Sequence, residues 1–503
     1  MLSVYLLFNL KTFDEIYDKN NPTHKYILQL IGVLFVFLVY VYAINGAGRF
    51  EFSKTQGDIY NKTLVDSLIN GKVNLDIEPT EELMNMEDPY DFTAREHENV
   101  GYLYDYAYYN GNYYVYFSVL PALTLFLPFK LITGYYLPIS FACFIYGAIG
   151  AVFTLLFTKD ILKKLFPNIT FRWVTFGALF MMFSNFVLFN VTTSRVYELV
   201  SLMGYMLVMI GMYFVLKAWY EDKTNYKYLS IGCLSLALAV WARPNLLIVS
   251  LLLVPIGIEK LINLLKNKQN KEILKLILSV AIPYLIVAVG VMIYNYLRFD
   301  SIFEFGARYQ LTSNNMGKLG YRISTIPIGI WHYLFNPFQM LATFPFIHSV
   351  DSNPLYIGYY GSTLKGVGIF SLNIVMYSLF LLPLLRKRIQ QKNKRIWNTI
   401  IAITIVGITM MIAVILCAAS YGRYSLDFAW MFVLSTILIL LCIYDFIKEH
   451  DFAKKIFEIV VGACIILSIF FNSLESINSE RNFFKVFNNT RYHKVKSSIC
   501  FWE

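Results

Sequence analysis

The chain has 503 residues, of which 57% are hydrophobic and only 15% charged, against the roughly 25% charged of a soluble domain, and its formal net charge is +10. Mean hydropathy is +0.53, and apolar runs of about 20 residues, the length that crosses a hydrocarbon core of roughly 30 Å, recur along nearly the whole chain. A soluble enzyme, a disordered or collagenous chain and a disulfide scaffold are excluded, and the composition reads as an all-α polytopic membrane protein.

Lys11, Asp14, Glu15 and Lys19 precede the first apolar run, residues 26–44, and no small-residue cleavage site follows a short apolar stretch, so this span is expected to stay in the protein. Beyond it, TQGDIYNKTLVDSLINGKVNLD has apolar residues at Ile59, Leu64, Leu68 and Ile69, a spacing that predicts a short amphipathic helix at the interface with Asp58 near its start. A carboxylate there can take a proton from an acceptor hydroxyl or amine, as a general base does; for most acids of this segment a solvated face is the simpler explanation. Asn110-Gly111 between alternating tyrosines predicts a hairpin over Tyr104–Phe117, with Asp105 on it. Eight of the sixteen residues from Tyr102 to Phe117 are Tyr, Tyr109 and Tyr113 among them, a density that suits stacking on a sugar ring or an aromatic belt at the membrane interface. Residues 116–134 are apolar but contain Pro121, Pro128 and Lys130.

Further spans are predicted at 138–158, 172–191, 196–219, 227–243, 244–262, 277–297, 364–385, 397–418, 424–446 and 456–473. The connections 159–172, 217–227, 259–275 and 386–395 carry four, three, five and six Lys/Arg. Basic connections stay on the cytoplasmic side, and all four fall there when the N-terminus is inside and 116–134 does not cross, so 116–134 is read as re-entrant or interfacial. The extracytoplasmic parts are then a first loop, 45–137, a second, 298–363, and a tail, 474–503. Residues 45–115 hold five Lys/Arg against 13 Asp/Glu, a net of −8, so the positive charge lies on the inner face and no nucleic-acid partner is implied.

The outer ends of the spans carry ionisable groups, costly near lipid and therefore functional candidates. They are Arg195 and Glu198 in TTSRVYE, Arg243 in WARPN, Arg298 and Asp300 in NYLRFD, Arg308 in FEFGARYQ, and Arg423 with Asp427 in YGRYSLDF. Guanidinium groups gathered at one membrane face suit a phosphate held at headgroup depth, with Arg243 and Arg308 the strongest candidates. Taken singly, each such Arg is more often a headgroup anchor, and Arg423 can pair with Asp427. Five of the six cysteines lie in apolar runs, Cys500 being the exception; His97 lacks a partner at zinc spacing; and no Walker A, GxGxxG or GxSxG motif occurs. An activated donor would therefore be lipid-borne.

Asp58-Ile59-Tyr60 soon after the first span, with DPYD (Asp88–Asp91), YYNGNYYVYFSVLP (Tyr108–Pro121), ARPN (Ala242–Asn245), NYLRFDSIFEFGARYQL (Asn295–Leu311) and GRYSLDF (Gly422–Phe428), resembles the integral-membrane GT-C glycosyltransferases. These include protein mannosyltransferases and the lipid A aminoarabinose transferase, and the longer strings resemble a bacterial subgroup without assigned substrates. The resemblance implies about 11 to 13 transmembrane helices and inverting transfer from a polyprenyl-phosphate-linked sugar to an envelope glycan, lipid or protein, outside the bacterial cytoplasmic membrane. By motif position the base is Asp58, with Asp105 as runner-up. Arg243, Arg308, Arg298, Arg195 and Arg423 would hold the donor phosphate, and Tyr60, Tyr109, Tyr113, Glu198 and Tyr309 would contact substrate. Ile59 stands where protein mannosyltransferases have the Glu of an Asp-Glu pair. The resemblance specifies no cofactor, although the acidic loop could bind a divalent cation, Mg or Mn. The competing class is a transporter or flippase of lipid-linked sugars, which would use the same arginines without chemistry; span centres poor in ionisable groups count against it.

Overall fold

The computed structural model describes residues 11–46, 48, 50–219, 224–318, 323–350, 366–418, 422–478 and 483–500. Parts of the second loop and of the tail therefore lie outside the described residues.

In chain order the elements are α1 (Pro22–Gly46), α2 (Ile59–Ile69), β1 (Tyr106–Tyr109), β2 (Asn112–Val115), α3 (Ala122–Thr133), α4 (Ile139–Leu165), α5 (Phe171–Thr193), α6 (Val196–Trp219), α7 (Tyr226–Ala242), α8 (Pro244–Lys266) and α9 (Asn270–Phe299). There follow α10 (Ile326–Phe335), β3 (Phe338–Met340), β4 (Ile347–Ser349), α11 (residues 369–392, in three pieces), α12 (Lys394–Ala418), α13 (Ala429–Ile447), α14 (Asp451–Asn478) and α15 (Asn489–Ile499). Nine helices among the described residues are long and apolar enough to cross a membrane: α1, α4, α5, α6, α8, α9, α12, α13 and α14.

The four basic connections meet at one end of the bundle. Asp160 pairs with Lys159 and with Lys217 at 2.8 Å, Asp445 pairs with Lys392 and Lys448, and the Tyr226 hydroxyl donates to the Glu272 carbonyl. The N-terminal segment docks at this end too, through Arg172–Asp14 at 2.6 Å and Phe13 stacked on Phe171. At the opposite end the hairpin, the second loop and the Arg-bearing turns come together. Because α6 ends at the basic end while α8 starts at the other, α7 must run the full length between them. The same argument applies to α11, so with α7 eleven helices among the described residues run from one end of the bundle to the other. By contrast α3 has 12 residues, about 18 Å of helix, too short for a core of roughly 30 Å. Its Leu131 and Ile132 are exposed, while Lys130 reaches back over the Tyr136 ring to donate to the Lys54 carbonyl, as an interfacial helix would.

Two helix breaks are held by side-chain amides. α5 breaks at Ser184–Phe186, where Phe186 has φ +65°, and α11 breaks at Asn373. Asn373 Oδ1 accepts from Ser184 Oγ at 2.7 Å and Asn472 Nδ2 at 2.9 Å, and Asn185 Oδ1 accepts from the Val187 amide. Backbone groups freed inside an apolar bundle need such partners.

Several local expectations change. In α2 the buried apolar side chains are Leu64 and Val65, whereas Ile59 and Ile69 are exposed, so the apolar stripe is turned partly outward. The spans expected at 364–385 and 424–446 begin later, at Ile369 and Ala429, because 3-10 turns precede or interrupt the α-helix. Of the cysteines, Cys143, Cys233, Cys442 and Cys500 are buried, Cys417 is exposed, and none is paired.

Candidate functional site

The site is built from turns that proline, glycine and left-handed residues force. Pro244 prevents α7 from continuing and holds Arg243 extended at φ −149°, so its guanidinium swings across the bundle end. Arg243 Nη2 lies 3.0 Å from Asp427 Oδ2 and Nη1 donates to Ser201 Oγ at 2.6 Å; Asn245 Nδ2 donates to the same Asp427 oxygen at 2.9 Å. Ser194, at φ +42°, turns the chain from α5 into α6 and places Arg195 and Glu198 at the site. Glu198, 1% exposed, lies 3.3 Å from Arg195 and 3.9 Å from Arg423. The pairing expected from sequence is thus exchanged: Asp427 takes Arg243, and Arg423 takes Glu198. Both guanidiniums lie over the Tyr424 ring, at 4.8 and 4.9 Å, giving one continuous strip of cations and buried acids.

Arg298 differs from these. It closes α9, 5% exposed, between the Tyr294 ring at 4.1 Å and Phe299 at 4.6 Å. Its guanidinium donates to the Val115 carbonyl at 3.0 Å and to Asn295 Oδ1 at 2.9 Å, with no carboxylate within 4.0 Å among the described residues. A buried cation without a counterion is costly, which makes the position suited to an anion from outside the chain. Arg243, Arg298, Asn245 and Asn295 line one cavity of about 440 Å³, together with Tyr116 and Tyr424. Ile248, Val291 and Val414 line its apolar part between α8, α9 and α12, so the cavity is polar at one side and greasy at the other. Burial pushes the Tyr116 phenol up to about 12, which keeps it a donor.

The two candidate bases occupy different settings. Asp105, 4% exposed and at φ +64°, is locked: Tyr197 Oη donates to one carboxylate oxygen, Gln310 Nε2 to the other at 2.9 Å, and its amide donates to the Leu311 carbonyl. With both oxygens engaged it ties hairpin, second loop and α6 together. Asp58 is half-buried and caps α2, Oδ1 accepting from the Asn61 amide at 3.3 Å and from Asn61 Nδ2 at 3.1 Å. Burial raises both carboxyls above the ordinary aspartate value of 3.8. Asp58 stands outside the cavity lining, beyond a layer of rings: Tyr60 stacks on Tyr106 at 4.5 Å and meets Phe117, a lining residue, at 5.8 Å.

The remaining candidates lie elsewhere. Arg308 has 60% of its side chain exposed and pairs with Glu304 at 2.5 Å, outside the cavity lining. The Tyr109 and Tyr309 rings meet at a tilt of 41°, centroids 4.7 Å apart, with Tyr109 Oη donating to Asp300, and Tyr113 is a core residue whose hydroxyl accepts from the Leu103 amide. Sequence reasoning missed Tyr197, Gln310, Asn245 and Asn295, although all four stood inside the quoted TTSRVYE, FEFGARYQ, ARPN and NYLRFD strings. Among the described residues no three His, Cys, Asp or Glu side chains converge as metal ligands.

No protein-family model matches the sequence, and no curated protein matches it. Among solved structures, the apo oligosaccharyltransferase of Archaeoglobus fulgidus is similar at 12% identity with a TM-score of 0.43, over 88% of this chain and 56% of that one. The chain therefore spans just over half the length of that protein.

Proposed function

We propose that the protein is a membrane glycosyltransferase that takes a sugar from a polyprenyl-phosphate-linked donor and passes it to an envelope glycan, lipid or protein. The observation that carries this reading is the two-sided cavity: Arg298, buried without a carboxylate partner, and Arg243 at its polar side, with aliphatic side chains of α8, α9 and α12 at the other. That pattern is complementary to a phosphate bearing a long isoprenoid. The acidic first loop and the arginines would face the outside of a bacterial cytoplasmic membrane, with 45–137, 298–363 and 474–503 extracytoplasmic, because the four basic connections gather at the opposite end.

In this mechanism the acceptor enters on the Asp58 side of the Tyr60–Phe117 ring layer. Asp58 takes the proton from the acceptor O–H or N–H as its lone pair attacks the anomeric carbon. The bond from that carbon to the phosphate oxygen breaks on the opposite face, which inverts the centre, and the polyprenyl phosphate leaves with its charge held by Arg298 and Arg243. Asp105 acts as a brace, since its oxygens are already engaged. A flippase for the same lipid would use the arginines alone, so Asp58 discriminates: its loss stops transfer and spares flipping. The test is turnover of labelled polyprenyl-phosphate hexoses by protein in lipid nanodiscs. Arg298→Ala should lower kcat/KM by about 100-fold or more, as loss of a preorganised donor to developing charge does. Unaltered kcat/KM would remove the cavity from the reaction.

A further inference from the structure

A second cavity, about 620 Å³, lies toward the basic end of the bundle between α4, α6, α8, α12 and α13. Its wall is aliphatic and aromatic, from Phe157 and Ile161 through Leu252 and Ile256 to Ile403 and Trp430. The neighbouring surface of α8 exposes Leu251, Val254 and Ile258, so the cavity borders the lipid phase. Water does not stably fill an apolar space of this kind, whereas an acyl chain does.

Its polar groups are of both signs. Lys394 and Glu259 line the cavity with exposed side chains, and neither side chain forms an ion pair or hydrogen bond among the described residues. Asn398 is likewise unengaged, and Trp219 Nε1 is a buried donor without an acceptor there. Arg395, which also makes a contact within the chain, adds a second cation. Among the described lining residues, one carboxylate and two cations beside an acyl-sized space match a headgroup that carries both a phosphate and a primary ammonium.

We propose that this cavity is a binding site for an aminophospholipid of the phosphatidylethanolamine type. Its phosphate sits at Lys394 and Arg395, its ammonium at Glu259, and one acyl chain lies along α8 and α12 toward Trp430. The site is separate from the arginine cavity at the other end and does not depend on the glycosyltransferase reading. A cation pair without the acid would favour an anionic lipid; a purely apolar wall would favour none.

Native mass spectrometry of the full-length protein, with palmitoyl-oleoyl phosphatidylethanolamine, phosphatidylglycerol and phosphatidylcholine in equal amounts, tests this directly. The wild type should retain phosphatidylethanolamine over each of the others by about fivefold, the factor that one charge near a headgroup supplies. Glu259→Gln should abolish that preference, Ala402→Trp should fill the space and lower retention of every lipid, and Lys271→Ala, on the same end but outside the cavity, should change nothing. Equal retention of the three lipids, a preference for phosphatidylglycerol, a preference that survives Glu259→Gln, or an isoprenoid adduct lost in Ala402→Trp would overturn the assignment.

Discussion

Asp58 has two jobs to separate, helix cap and base, and the side-chain chemistry separates them. Asparagine keeps an oxygen for the Asn61 amide, so Asp58→Asn should alter stability by less than about 0.5 kcal/mol, whereas Asp58→Ala should cost about 1 kcal/mol as the cap is lost. Only the base role predicts that both variants lose transfer; full turnover in Asp58→Asn with normal folding would leave Asp58 as a cap alone. The sign of its pKa shift adds a pH prediction. A carboxyl raised by burial is still protonated at pH values where a free aspartate is ionised, so the acid limb of kcat/KM should lie above 3.8. An acid limb at or below that value would count against Asp58. Asp105 behaves differently: Asp105→Asn turns an amide toward one of two donors and should destabilise the fold by roughly 1–3 kcal/mol, read by thermal unfolding in detergent. Much of this was legible as residue types on turns. Which arginine meets which acid was not, because Arg243 and Asp427 are 184 positions apart and their pairing follows from helix packing that no local pattern encodes.

Elements were more readable than contacts. The Asn-Gly signal located the hairpin, and the Lys/Arg bias of the later connections set 116–134 apart from the spans, where the structure has the 12-residue α3. α10, with the sequence IPIGIWHYLF, was missed because ten apolar residues inside a loop fall short of a span and lack a polar face to mark an amphipathic helix. The pairing of Ala107 with Gln310, which adds the second loop to the hairpin, also has no local signature. Packing between elements yields a contrast to measure. A Cβ at Gly46, where α1 ends, would lie 1.8 Å from the Thr192 carbonyl oxygen of α5, whereas one at Gly257 in α8 meets nothing within 4 Å. Gly46→Ala should therefore cost roughly 1–3 kcal/mol or more, and Gly257→Ala should be neutral or stabilising by up to about 1 kcal/mol. Equal unfolding midpoints in the two variants would contradict the close approach of α1 to α5.

At the scale of the whole molecule the bundle has two chemically different ends. One carries the basic connections and the proposed phospholipid cavity; the other carries the acidic loop, the arginine strip and the two-sided cavity. Charge bias predicted this polarity from sequence because it depends only on counting Lys and Arg between spans. Sugar transfer by this bundle needs the arginine end to hold a lipid-linked donor while Asp58 deprotonates the acceptor. The most direct measurement is sugar transfer by the purified protein in nanodiscs from labelled undecaprenyl-phosphate hexoses to an envelope fraction, comparing wild type with Asp58→Asn and Arg298→Ala. The account predicts transfer by the wild type, none by Asp58→Asn although it still binds donor, and weakened donor binding in Arg298→Ala. Transfer at wild-type rates by both variants, or none by the wild type with any of these donors, would contradict it.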